Sequence, residues 1–277
     1  MTYATFFEGN GVVNKEMYVY SGVSAECEVS NEDSARTLCE TTTCDLSVVI
    51  PAKNEEARLP NTLQQVAHRL DALGVSYEII VVDDGSRDKT AFVAKLYGAR
   101  VVNHLRSKGI AAAFRSGARI SRGEAVMLCP ADICDFSFLA EAASSARLFD
   151  VVSVSKRHPK SVVVGYDRWR WFLSNGYQRC VQSLFGKSEI CTDTHYVKLY
   201  NRKALRDILD KCRLNGPVGE TEIMLYARDA GCTFFEVPAR IVHNGDGSKM
   251  SFSLILQTAS ELLRLYLHRR LTSFQLT

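Results

Sequence analysis

The sequence predicts a single α/β domain, built on a mostly parallel central sheet flanked by helices, with an amphipathic helix at its C-terminal end. Three observations carry this expectation. Short runs rich in β-branched residues, such as Leu46-Ser-Val-Val-Ile-Pro51 and Glu78-Ile-Ile-Val-Val82, end in turn chemistry and read as buried strands. Between them Leu59, Leu63, Val66, Leu70 and Leu73 recur at spacings of 4, 3, 4 and 3, the period of a helix buried on one side. Strand, helix and strand in that order form a right-handed unit with both strand ends on one edge of the sheet.

The totals bound the function. The chain has 277 residues, 46% of them hydrophobic, enough for one substantial core. Its 34 basic and 31 acidic residues leave a net charge of +3 with no long basic run, which argues against nucleic acid as a partner. The nine cysteines are scattered without a Cys-x-x-Cys pair and read as reduced thiols, several of them core fillers. No secretory signal is read at the N-terminus, and no apolar stretch approaches about 18 residues. A cytoplasmic protein is expected, with peripheral membrane contact left open. Residues 1–44 lack a period and read as a partly flexible N-terminal extension. The domain is expected over 45–250, its halves meeting near 135, and the final helix over 251–277.

Along the chain, strand 78–82 runs into Asp83-Asp84-Gly85-Ser86, and a helical pattern opens at Asp88-Lys89-Thr90. Ligands of open parallel sheets bind at the carboxyl ends of strands, so Pro51–Glu55 and Asp83–Ser86 are expected to face each other across a crevice. Two carboxylates there suit a base, a ribose or a cation; Asp83 capping its turn beside a solvated Asp84 is an equal alternative. Ala99–Asn103 is a strand, and Ile110–Ile120 is a helix whose Ala113 and Gly117 allow close packing. Lys108-Gly109 lies just before that helix, where amides and a cation suit a diphosphate. Strand Glu124–Cys129 runs into Pro130-Ala131-Asp132, and strand Val151–Ser155 into Lys156-Arg157.

A helix is expected to begin around Arg170 and Ser174-Asn175, another at Ala204–Cys212, and a third at Gly219-Glu220-Thr221-Glu222. Those acids either favour the helix N-terminus electrostatically or act on an acceptor hydroxyl. Strand Cys232–Ala239 is followed by a polar, glycine-rich loop over Ile241–Lys249. In the final helix, Ser251–Leu271, the stripe Ile255, Ala259, Leu262 and Tyr266 is widened by Leu254, Leu263 and Leu267. Arg264, His268, Arg269 and Arg270 cluster toward its end. It either packs on the domain or lies on a membrane surface.

Three ordered motifs resemble a known family: Ser-Val-Val-Ile-Pro-Ala-x-Asn-Glu-Glu at 47–56, Glu-Ile-Ile-Val-Val-Asp-Asp-Gly-Ser-x-Asp-x-Thr at 78–90, and Lys-Gly-x-Ala with a glycine at 117. The chain resembles family 2 glycosyltransferases of the GT-A (Rossmann-like) fold, above all the dolichyl-phosphate glucosyl- and mannosyltransferases, over roughly 46–271. The resemblance implies an inverting transfer of a hexose from a UDP- or GDP-sugar to a polyprenyl phosphate. It implies donor contacts at Pro51, Ala52, Glu55, Asp83, Asp84, Lys108 and Lys249. It implies acceptor contacts at Lys156, Arg157, Arg168, Arg170 and Lys198, because an arginine fork suits a phosphate. Catalytic candidates are Asp132, Glu220 and Glu222. The family's Asp-x-Asp motif holds Mg2+ or Mn2+; here Pro130 replaces its first aspartate, leaving Asp132, with His243 as a candidate second ligand. Asp193-Thr194-His195-Tyr196-Val197-Lys198 resembles the family's Asp-Thr-Gln segment. The same fold acting on a small soluble acceptor, or binding a nucleotide sugar without transfer, are the alternative readings.

Overall fold

The computed structural model describes residues 44–133, 135–165, 167–186, 193, 196–242 and 252–274. The expected calls at His243 and Lys249 lie outside them. Strand β1 (Cys44–Ala52), helix α1 (Leu59–Ala72), strand β2 (Tyr77–Asp83), helix α2 (Thr90–Leu96) and strand β3 (Arg100–Asn103) alternate first. Helix α3 (Ile110–Arg119), strand β4 (Gly123–Leu128), helix α4 (Leu139–Ser145), strand β5 (Val151–Ser155) and strand β6 (Val162–Val164) follow. Then come helix α5 (Arg168–Phe185), strand β7 (Lys198–Asn201), helices α6 (Arg202–Leu209) and α7 (Gly219–Asp229), strands β8 (Phe234–Pro238) and β9 (Arg240–Val242), and helix α8 (Phe252–Phe274).

The central sheet has seven strands in the order β3-β2-β1-β4-β7-β5-β8. All neighbours pair in parallel except β7, which runs antiparallel between β4 and β5. The carboxyl ends of β1, β2, β4 and β5 therefore share one edge, and the reversed β7 brings its first residue, Lys198, to that same edge. Alternation along the strands sorts the core. Val48, Ile50, Val81 and Met127 pack under α1, α2 and α4. Val49, Val82, Val126 and Leu128 pack under α3, α6 and α7.

Several elements differ from the sequence expectation. β7 was not expected as a strand, since four residues, three of them buried, carry little alternation. α4 is only seven residues long and β6 only three, too short to show a period. Ile241 and Val242, expected as the start of a loop, belong to β9, which pairs with β6. The final helix has two apolar faces rather than one. Leu262 and Leu265 are buried against Val181, Val218 and Leu225. Phe252, Leu256, Leu263, Leu267 and Leu271 recur on the opposite, exposed side. Among the described residues no helix is long and apolar enough to cross a membrane.

Gly117 seats α3 on the sheet: a Cβ there would run into Val49 and Val82, both stiff β-branched side chains. Gly176 in α5 has open space around the same position. Alanine should therefore act with opposite sign at the two sites. Gly117→Ala should destabilise by about 1–3 kcal/mol through overpacking, and Gly176→Ala should stabilise by about 0.5–1 kcal/mol through helix propensity. Chemical denaturation of both variants checks this; equal shifts would contradict the packing.

Candidate active site

The site is built along the shared strand edge, starting from the two loops after β1 and β2. They are stitched together rather than separated by the expected crevice. Asn54 N–H donates to Ser86 Oγ (2.9 Å), Glu55 N–H to Thr90 Oγ1 (2.9 Å) and Glu56 N–H to Asp88 (3.1 Å). In return Arg87 N–H donates to Asn54 Oδ1 and Lys89 N–H to Glu56. Asn54 takes φ +56°, the left-handed conformation that asparagine tolerates, and this turns the chain into the ladder. The edge above these strands is therefore floored by the joined loops. Pro51 and Ala52 are buried at the end of β1.

The paired aspartates have separate roles. Asp83 Oδ1 accepts from Ser86 N–H (2.8 Å), which caps the turn. Asp84, expected as a donor contact or a solvated carboxylate, is buried and used by the chain itself. It accepts from the backbone N–H groups of Lys108 (2.8 Å) and Gly109 (2.9 Å), from Ser107 Oγ (2.8 Å), and pairs with His104 Nδ1 (2.7 Å). Burial alone would raise its pKa; the hydrogen bonds from Lys108, His104, Gly109 and Ser107 outweigh it, and the pKa lies below the usual carboxylate value.

The α3 N-terminus corrects another expectation. Four of the amides there are already taken: Asn215 C=O accepts from Ala111 N–H (3.0 Å) and Ala112 N–H (3.4 Å), and Asp84 accepts from Lys108 and Gly109. Gly109 is required there: φ is +103°, and a Cβ would strike Asn215 C=O. What Lys108 offers a donor is its exposed side chain.

Asp132 sits on the loop after β4, exposed, on a loop that Thr62 of α1 fixes by donating to Ala131 C=O (2.7 Å) and Ile133 C=O (3.2 Å). Glu55 stands close enough to feel its charge. Burial first, then Asp132 and Asp88, raise the Glu55 pKa against the opposing Arg58. Asp135, further along the same loop, accepts from Ser137 N–H (2.8 Å) and pairs with Arg240 (3.6 Å). Among the described residues no group of three or more His, Cys, Asp or Glu could hold a metal ion.

The second half brings three of the five basic candidates, Lys156, Arg157 and Lys198, together around a residue that the sequence reading did not nominate. Asp193, 1% exposed, pairs with Lys156 Nζ (3.1 Å) and Arg157 NH1 (2.9 Å). Arg157 also donates to Ser174 Oγ (2.8 Å) and Asn175 Oδ1 (3.3 Å) of α5, and lies over the Trp171 ring. Lys198, fully buried, pairs with Glu220 Oε2 at 3.4 Å. Burial lowers the Lys156 pKa, Asp193 opposes this, and Arg157 and Lys198 reinforce it; the net shift is downward. Arg168 is exposed on the first turn of α5, and Arg170 is half-buried there. Glu222 corrects its catalytic assignment: its Oε2 accepts from Arg213 N–H (3.0 Å) and Leu214 N–H (2.8 Å), so it holds the loop before α7. The signal for Asp193 was present in the sequence as the head of the segment that contains Lys198, but its partners lie 36 and 37 residues away (193 − 157 and 193 − 156), just past the end of β5.

The described edge thus carries joined loops at the β1 and β2 ends, the exposed Asp132 after β4 and a buried basic cluster after β5 and at the start of β7, on a mostly parallel sheet of the GT-A type. Residues 47–209 match the family described as glycosyl transferase family 2, and the chain belongs to that family. Among curated proteins it is 28% identical over 254 residues to a dolichyl-phosphate beta-glucosyltransferase of Trichomonas vaginalis, covering 83% of this chain and 76% of that one. It is 29% identical to the dolichyl-phosphate beta-glucosyltransferase of Dictyostelium discoideum, covering 79% and 73%, and 28% identical to that of Homo sapiens, covering 84% and 78%. Among solved structures, mannosyl-3-phosphoglycerate synthase from Rubrobacter xylanophilus matches with TM-score 0.63 at 19% identity, covering 84% of this chain and 76% of that one. Glucosyl-3-phosphoglycerate synthase from Mycobacterium tuberculosis, solved with Mn2+, uridine diphosphate and glucosyl-3-phosphoglycerate, matches with TM-score 0.60 at 17%, covering 85% and 81%.

The Asp84 network yields a prediction with a pH signature. Its folded pKa is depressed, so its contribution is present above the unfolded value of about 3.9 and is lost as pH falls through the folded pKa. Asp84→Asn turns one acceptor into a donor facing N–H groups and should cost about 1.5–3 kcal/mol at neutral pH. Its stability should also fall less steeply than the wild type's below about pH 3.9. Urea unfolding across pH checks both, and an unchanged acid limb would remove Asp84 from its anchoring role.

Proposed function

We propose that the chain transfers a glucosyl group from a nucleoside diphosphate sugar to a polyprenyl phosphate with inversion. The donor would lie over the joined loops, with Pro51, Ala52, Glu55 and Asp83 at its base and ribose and the Lys108 side chain, together with Lys249, near its diphosphate. A divalent cation, Mg2+ or Mn2+, would enter with the donor, held by the diphosphate oxygens and Asp132. The acceptor phosphate would lie at Lys156, Arg157, Arg168, Arg170 and Lys198. Its oxygen attacks the anomeric carbon, the bond from that carbon to the donor diphosphate breaks, and the nucleoside diphosphate leaves with the electron pair.

The observation that carries this reading is the state of the two candidate acids in the first turn of α7. Glu222 is committed to two backbone N–H groups, and Glu220 is buried in an ion pair with Lys198. An alcohol acceptor needs a base to take its proton. A phosphate monoester, with a second pKa of about 6, arrives already deprotonated and needs cations instead. The names of the relatives support the same acceptor. The exposed face of α8, with Leu256, Leu263 and Leu267 near Arg264 and Arg270, suits peripheral contact with the membrane that would hold a lipid acceptor.

Arg157→Ala removes a charge-assisted contact. It should raise the acceptor KM about ten- to a hundredfold while leaving the donor KM nearly unchanged. The assay compares polyprenyl phosphate with polyprenol and a soluble alcohol. Transfer to the alcohols in preference to the phosphate would overturn the reading. Wild-type protein should also float with anionic liposomes, and Leu263→Glu with Leu267→Glu should sink without loss of thermal stability, because both side chains are exposed.

A further inference from the structure

The basic cluster is held in shape by an anion of the chain's own. Asp193 reaches both Lys156 and Arg157 with its carboxylate, and its C=O accepts from Ser153 Oγ of β5 (3.3 Å). Its burial would raise its pKa, yet Lys156, Arg157 and Lys198 together hold it below the usual carboxylate value, so it is charged at neutral pH. A carboxylate and a phosphate ask for the same donors in the same geometry. An anion arriving at this cluster therefore meets cations that already have a partner.

We infer that Asp193 is the resident counter-ion of the acceptor site: it holds Lys156 and Arg157 in position, and an entering phosphate competes with it for their N–H groups. This rests on the reading that the cluster receives the acceptor's anion. Three cations, Lys156, Arg157 and Lys198, act on Asp193, and Glu220 pairs with the last of them. A phosphate dianion competes for Arg157 with twice the charge of Asp193, while a carboxylate-bearing acceptor offers no more than Asp193 already does. Asp193 then sets selectivity for dianionic acceptors as well as the geometry of the arginine. A purely structural ion-pair partner would act in the opposite sense, since removing it would disorder the cations and weaken the site.

The test is binding of inorganic phosphate, by calorimetry, to the full chain and to Asp193→Asn, which keeps the shape and one acceptor oxygen but removes the charge. The variant should be less stable in phosphate-free buffer. It should bind phosphate about tenfold more tightly than the wild type, gain more thermal stability from added phosphate, and show a lower acceptor KM without a higher kcat. If the single variant does not fold, the comparison is made between Lys156→Met and the double variant with Asp193→Asn, which removes the buried charges as a pair. The double variant should then bind phosphate more tightly than Lys156→Met alone. Equal or weaker phosphate binding after loss of Asp193, with wild-type binding that still depends on Arg157, would overturn this inference and leave the proposed acceptor class standing. Wild-type protein that binds no phosphate, and Arg157→Ala that changes nothing, would remove both.

Discussion

The carboxylate of Asp84 is the interaction on which the rest of the site depends. It gathers the loop from His104 to Gly109 under the end of β2 and so fixes where α3 begins. The start of α3 is in turn capped by Asn215, whose loop is held by Glu222 and, through Val218, by Glu261 of α8. Arg115 of α3 reaches back to Leu214 and Asn215. A single chain of polar contacts therefore runs from the donor loops to the first turn of α7, where Glu220 stands. An unpaired buried carboxylate is costly, so each link holds only while its neighbours are in place.

The second constraint is topological. Were β7 parallel to its neighbours, its first residue would lie on the opposite edge of the sheet. Running antiparallel between β4 and β5, it delivers Lys198 beside Lys156 and Arg157. That is how the loops after β1, β2 and β4 and the basic cluster after β5 and at the start of β7 come to share one edge. The cluster is then desolvated and mutually compensated, since Asp193 and Glu220 face Lys156, Arg157 and Lys198.

Much of the fold was legible in the sequence because the early strands and helices have clean periods. Val48 and Ile50 against Val49, and Leu59, Leu63, Val66 and Leu70 along α1, pack as the spacing requires. Ser174 and Asn175, read only as part of a helix start, lie in the second turn of α5 and both hold Arg157, a role the spacing did not show. Roles that depend on tertiary partners were not legible. Asp83 and Asp84 are adjacent and chemically identical, and only the arrival of the 104–109 loop from 20 residues away separates a turn cap from an anchor. Glu220 and Glu222 are likewise distinguished by what reaches them, Lys198 for one and the 213–214 backbone for the other. The two apolar faces of α8 were read as one broad stripe, because periodicity reports apolar positions without saying which are covered.

The central claim is that the site holds an ionised phosphate instead of making a base for an alcohol. The pH profile of kcat/KM for polyprenyl phosphate tests it most directly, measured for wild type and Glu220→Gln. The account predicts a single acid limb in both, set by the acceptor's own second ionisation near about pH 6, with Glu220→Gln lowering the plateau but keeping the limb. Disappearance of the limb in Glu220→Gln, together with the loss of about 10²–10⁴ in rate expected from removing a general base, would contradict it.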